Sequence, residues 1–229
     1  FRGEVRINGG VAQMPAQPGL QLTGWLDNMS LDDWRYLLFA EEGEGNDFPL
    51  FSAADIAFRE LEIYDQRLHN LRLKLAQVDG ELHADIDSKE LKGQIELPGK
   101  LASEPIRAHL QHWHLAEMSE TGGDADPRDL PALDMTIDDF RFKNSQFGSL
   151  RLETAKVQEG VRIEQLGIKP RSTTITANGS WYVLGGQQAS SLQMHVQSRN
   201  IGHTLRAMDY VGGIDKGQGS AELELEWPG

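Results

Sequence analysis

The sequence predicts a mainly β protein: repetitive antiparallel strands forming an elongated, curved and twisted sheet or groove, with two short helices. Three observations carry that expectation. Apolar and polar residues alternate in run after run, turn signals separate several of the runs, and one stretch returns at an offset of 79 residues.

The alternation is clearest in Leu71, Leu73 and Leu75, then in Leu82, Ala84 and Ile86, and in Leu91, Gly93, Ile95 and Leu97. It continues in Ile106, Ala108 and Leu110, in Leu192, Met194 and Val196, and in Ala221, Leu223, Leu225 and Trp227. Charged or polar residues fill most positions between, so each strand has one oily and one wet face, as in antiparallel sheet. Asp79-Gly80 and Glu159-Gly160 read as hairpin turns, and Asn178-Gly179, inside an alternating run, reads as a bulge.

Two segments read as helix. Ser30 caps an apolar stripe of Leu31, Trp34, Leu37 and Leu38, predicting a helix near 30–41. Asn200 caps Ile201, Leu205 and Met208, predicting a helix near 200–210, with Gly212-Gly213 beyond it.

The 79-residue offset lays Asp55-Ile56-Ala57-Phe58 on Asp134-Met135-Thr136-Ile137, and Leu71-Arg72-Leu73 on Leu150-Arg151-Leu152. Apolar parity slips between Phe58 and Leu61, and again between Ile137 and Phe140; it changes once more between Leu73 and Ala76, and between Leu152 and Ala155. A slip in strand parity predicts a bulge, kink or turn. Shared slips predict a duplicated unit that stacks into an elongated sheet. The expected organisation is a first β unit over 1–116, an acidic Pro/Gly-containing loop over 117–131, and a second β unit over 132–229.

Composition removes several classes of function. With 22 Lys+Arg against 35 Asp+Glu, the formal net charge is -13, which argues against nucleic acid and against broad docking on an anionic membrane. There is no cysteine, so disulfides, Cys-ligated zinc and thiol nucleophiles are excluded. The apolar runs are far shorter than the ~20 residues that span a bilayer, so no transmembrane segment is expected within this stretch. It starts at Phe1 without a signal-peptide pattern and reads as a piece of a longer chain.

No catalytic or cofactor motif is present, and neither enzymatic activity nor a cofactor is expected. His109, His112 and His114 share one predicted strand, but no carboxylate stands at ligand spacing, which favours a solvated or hydrogen-bonded cluster over a metal site. Asp85 and Asp87 lie on a wet face with Glu90 close by, where solvation is a simpler account than a glycosidase pair. The oily faces remain. They are either a sandwich core or the lining of an open groove for acyl chains.

LTGWLDNMSLDDWRYLL (22–38), DPRDLPALDMTIDDFRF (126–142), GSLRLETAKVQEGVRIEQLGI (148–168) and SRNIGHTLRAMDYVGGIDKGQGSAELELEWPG (198–229) together resemble the AsmA-like family, in particular its YhdP branch. The resemblance covers most of the chain and reports architecture rather than chemistry. It implies the periplasmic part of an inner-membrane-anchored Gram-negative envelope protein, whose apolar β-groove shields phospholipid acyl chains between inner and outer membrane. It carries over no catalytic, metal or cofactor residues.

The lipid-facing positions rest on alternation alone: Leu71, Leu73, Leu75, Leu82, Ile86, Leu91, Ile95, Leu97, Leu150, Leu152, Leu192, Met194 and Val196. The implied partners are phospholipid acyl chains and other envelope proteins. The rival reading is a structural or interaction module of the envelope without lipid cargo.

Overall fold

In the computed structural model, which describes residues 1–16, 18–30, 51–63, 66–99, 103–116, 126–207 and 213–228, the alternating runs become thirteen strands. They fall into two compact units, Phe1–Lys100 and Leu101–Gly229. The first holds β1 (Arg2–Ile7), β2 (Gly19–Ser30), β3 (Phe51–Ile63), β4 (Gln66–Val78), β5 (Glu81–Asp87) and β6 (Leu91–Leu97), hydrogen-bonded in that order. The second holds β7 (Ile106–Leu115), β8 (Leu133–Phe142), β9 (Ser145–Val157), β10 (Gly160–Lys169), β11 (Thr173–Leu184), β12 (Gln187–Ser198) and β13 (Gly219–Pro228), again in sequence order. The chain is mainly β, as the alternation predicts.

Most neighbouring strands are antiparallel, but β1 with β2, β2 with β3, and β7 with β8 run parallel. Parallel neighbours need a crossover rather than a tight turn. The 20 residues between β2 and β3 and the 17 between β7 and β8 supply the required length. The 79-residue repeat is therefore a repeat of topology. In each unit a parallel pair leads into an antiparallel meander: β2 to β5 in the first, β7 to β10 in the second. Shifting β4 by 79 residues gives the bounds of β9.

The first pair of parity slips is real. In unit 1, Leu26, Phe58 and Leu71 stand opposite one another, as do Met29, Leu61 and Leu68, while Asp27, Arg59 and Asn70 drop out of the ladder together. Asn70 takes a φ of 51°, and Arg59 reaches Asp27 at 2.8 Å. The three strands thus turn their side chains over at one level, and apolar residues stay on one face. In unit 2 the ladder between β8 and β9 shifts between Ile137 and Phe140, with Leu110 and Trp113 beside them on β7.

Other expectations need correction. No kink follows Leu73 or Leu152. Both strands run on regularly, and Ala76 and Ala155 simply sit on the opposite face, beside His83 and Arg162. The bulge expected at Asn178-Gly179 belongs to the neighbouring strand. β11 pairs with β12 without interruption, whereas β10 carries the extra residue near Glu164. Gly179 answers a different demand, because a Cβ there would lie 2.1 Å from the Ser191 carbonyl oxygen. Asp79 and Gly80, with φ of 52° and 87°, form the expected two-residue hairpin. The second hairpin turns one residue earlier, at Gln158-Glu159, because Gly160 already pairs with Val157.

The helix near 200–210 is present as α1 (Ile201–Ala207), the only α-helix among the described residues. The Asn200 side-chain oxygen accepts from the His203 amide at 3.1 Å, as a cap should. The helix expected near 30–41 lies outside the described residues, as do Met208, Gly212 and positions 117–125 of the predicted loop. At the loop's end a short 3-10 turn, Pro127–Asp129, is capped by Asp126.

Candidate functional site

Strand register builds the site. Directly opposed residues share a face, so apolar positions in register form rows that run across the sheet. In unit 1, Val5, Leu22, Ala54, Leu75, Ala84 and Ile95 line up across all six strands. Beside them run Ile7, Gly24, Ile56, Leu73, Ile86 and Gly93. In unit 2, Leu110, Ile137, Leu150, Ile168, Ile175, Val196 and Ala221 cross seven strands. A second row there joins Ala108, Met135, Leu152, Leu166, Ala177, Met194 and Leu223.

All thirteen positions singled out from alternation lie on this apolar face of their own unit. Leu82 opposes Leu97, and Leu91 keeps the parity of Gly93 and Ile95. Their surroundings differ. Leu71 is 2% exposed, inside a buried cluster with Ala54, Ile56, Phe58, Leu61 and Leu68. Leu82 is also buried, whereas the other eleven are half-buried. In unit 2 the face opens towards β13. Ile137 is 1% exposed, but Leu223, Leu225 and Trp227 are 44%, 41% and 46% exposed.

The list drawn from alternation omits several residues of this apolar face, notably Phe58, Ile137, Ile163, Leu166, Ile168 and Ile175. The β10 bulge places Ile163 and Leu166, three positions apart, on one face, so period-two counting fails there. A signal existed: two short alternating runs, Val161-Ile163 and Leu166-Ile168, in opposite parity.

The opposite face is polar and ion-paired. Arg72 donates to both Asp55 carboxylate oxygens, at 3.0 and 2.8 Å, and holds the Asp55 carboxyl below its usual range. The repeat preserves that pair as Arg151 and Asp134. Asp87 meets Lys92 at 3.0 Å, Asp85 accepts from Gln94 at 2.9 Å, and Glu90 accepts from the His69 amide at 3.0 Å. The three carboxylates considered for acid–base work are thus each bound to a neighbouring strand. His109 bonds Thr136 at 2.9 Å, and the His112 and His114 rings lie 5.0 Å apart. Among the described residues no group of three or more His, Asp or Glu is arranged to hold a metal ion.

A depression of about 990 Å³ spans β10 to β13, and its lining includes Arg162, Glu164, Asn178, His195 and Glu222 together with Ile163, Leu192, Met194 and Leu223.

A family model described as YhdP protein matches residues 1–229, the whole sequence. The chain belongs to the YhdP family. No curated protein and no solved structure matches it. In this YhdP-family chain no helix among the described residues is long and apolar enough to cross a membrane.

Proposed function

We propose that this stretch of a YhdP-family protein shields phospholipid acyl chains in transit between the inner and outer membranes, as a periplasmic part of an inner-membrane-anchored envelope protein. The observation that carries the reading is the continuity of the apolar rows across every strand of each unit. Family membership supports it. The action is passive and requires no enzymatic step: apolar side chains replace water around the tails, worth roughly 25 cal/mol per Å² of apolar surface buried.

The half-buried and exposed members of the rows carry the contact, because fully buried ones such as Leu71 and Ile137 have no surface to offer. Leu192, Met194 and Leu223 are therefore the informative positions. Native mass spectrometry of the purified chain should detect bound phospholipid, and a Leu192→Asp/Met194→Asp variant should lose it while remaining folded. Equal lipid capture by the folded variant would sink the assignment.

A further inference from the structure

Arg6, Arg59, Arg67, Arg72, Lys92, Arg128, Arg141, Arg151, Arg162 and Arg206 form ion pairs with carboxylates, in keeping with a sequence of 35 acidic and 22 basic residues. Three other cations meet in one place. Lys169, Arg171 and Arg199 line a common cavity of about 340 Å³, form no ion pair among the described residues, and have no carboxylate beside them in its lining. Three uncompensated cations gathered in one hollow repel each other unless an anion joins them.

The backbone places them. Pro170 and Thr173 close a turn between β10 and β11, with the Thr173 amide donating to the Pro170 oxygen at 3.0 Å; this presents Arg171 at the tip and Lys169 just before it. The Arg199 amide donates to the Ser172 oxygen at 2.9 Å, which brings Arg199 from the end of β12 to the same turn. Neutral groups complete the lining: Ser172, and Thr174 beside its cross-strand partner Gln197. Ser172 also lies 3.4 Å from His203 of α1.

We propose that this cavity binds a phosphate group. Arginine forks match the geometry of phosphate oxygens, lysine adds a compact point charge, and the hydroxyl and amide groups supply further hydrogen bonds. The volume lies within the range of ~300–1,000 Å³ of small-ligand sites. Nucleic acid fits poorly, because its binding requires an extended basic track and the chain's net charge is -13. Two sources of the group share this chemistry: free phosphate and the phosphodiester of a lipid headgroup. The site stands on its own residues and does not depend on the acyl-chain reading.

The test follows the NMR signals of the Arg171 and Arg199 side chains and of amides 170–174 and 197–199, using the 229-residue chain. One arm adds inorganic phosphate; the other adds dihexanoyl phosphatidylglycerol below its micelle concentration, and sodium chloride at matched ionic strength is the control. Saturable shifts confined to these residues in either arm support the site, and the arm that responds more strongly identifies the source. A Lys169→Gln/Arg171→Gln/Arg199→Gln variant should bind at least tenfold more weakly. Should that variant fold poorly, Arg171→Gln alone, at an exposed turn position, should still weaken binding several-fold. Shifts reproduced by chloride, no saturable shift in either arm, or undiminished binding by a folded variant would each overturn the proposal. Loss of lipid capture at Leu192 and Met194 leaves the inorganic phosphate arm unaffected, so the two readings fail separately.

Discussion

Gly24 sits in the middle of three parallel strands with a φ of 129°, and a Cβ there would lie 1.9 Å from the Ile7 carbonyl oxygen. Gly80 also has a positive φ, but open space surrounds its missing Cβ. Gly24→Ala should therefore cost about 3 kcal/mol or more, from backbone strain plus steric conflict, and Gly80→Ala only about 1–2 kcal/mol from strain. Denaturant unfolding of the two variants measures the difference, and equal losses would refute the close-approach account. Glu4 shows what charge does at the same scale. Its carboxylate accepts from the Gln13 amide, the Thr23 hydroxyl and the Arg6 guanidinium, which hold its pKa down to about 2 from 4.5. A carboxyl with a depressed folded pKa stabilises the fold above its unfolded value, and loses that contribution as pH falls from about 4.5 towards 2. An NMR titration of Glu4 should place its midpoint near 2, and Gln13 amide exchange, corrected for intrinsic pH dependence, should accelerate across that window. Neither the close approach at Gly24 nor the clamp at Glu4 is legible in the sequence, because both depend on which strand lies alongside.

Within a strand, alternation tells which residues share a face, and register then decides how each face continues into its neighbours. The thirteen positions chosen from alternation all reached the apolar face of their units, because period-two geometry is a local property of extended backbone. Reading past the slip at Phe58 and Leu61 was possible because the repeat shows the same slip at Ile137 and Phe140. The opposite parity of Val161-Ile163 and Leu166-Ile168 marks the β10 bulge too, but which strand holds the extra residue is defined only against β9 and β11. Burial along a row is equally invisible to alternation. Ile137 and Leu223 lie on the same face of unit 2, yet one is enclosed and the other open. Ile137→Asp should cost about 4 kcal/mol or more by burying an unpaired carboxylate, whereas Leu223→Asp should stay within about 1 kcal/mol. Thermal unfolding followed by circular dichroism distinguishes them, and similar stability of the two variants would contradict the burial gradient.

For the whole molecule, the acyl-chain proposal makes a prediction about sides. Trp181 and Trp227 oppose Ser190 from either flank on the apolar face of unit 2, whereas Trp25, half exposed, stands on the polar face of unit 1 beside Ala57 and Arg72. Phospholipid with brominated acyl chains should quench single-Trp variants retaining Trp181 or Trp227, and spare one retaining Trp25. Equal quenching of all three would place the tails elsewhere. The sequence by itself determined the β class, the two-faced strands and the Asn200-capped helix, because propensity, alternation and capping act between residues a few positions apart. Only the tertiary structure decided which strands run parallel, which apolar positions are sealed and which remain open, and that Lys169, Arg171 and Arg199 meet in one hollow. Those outcomes depend on register between separate strands, and period-two alternation says which way a residue points without saying what stands opposite it.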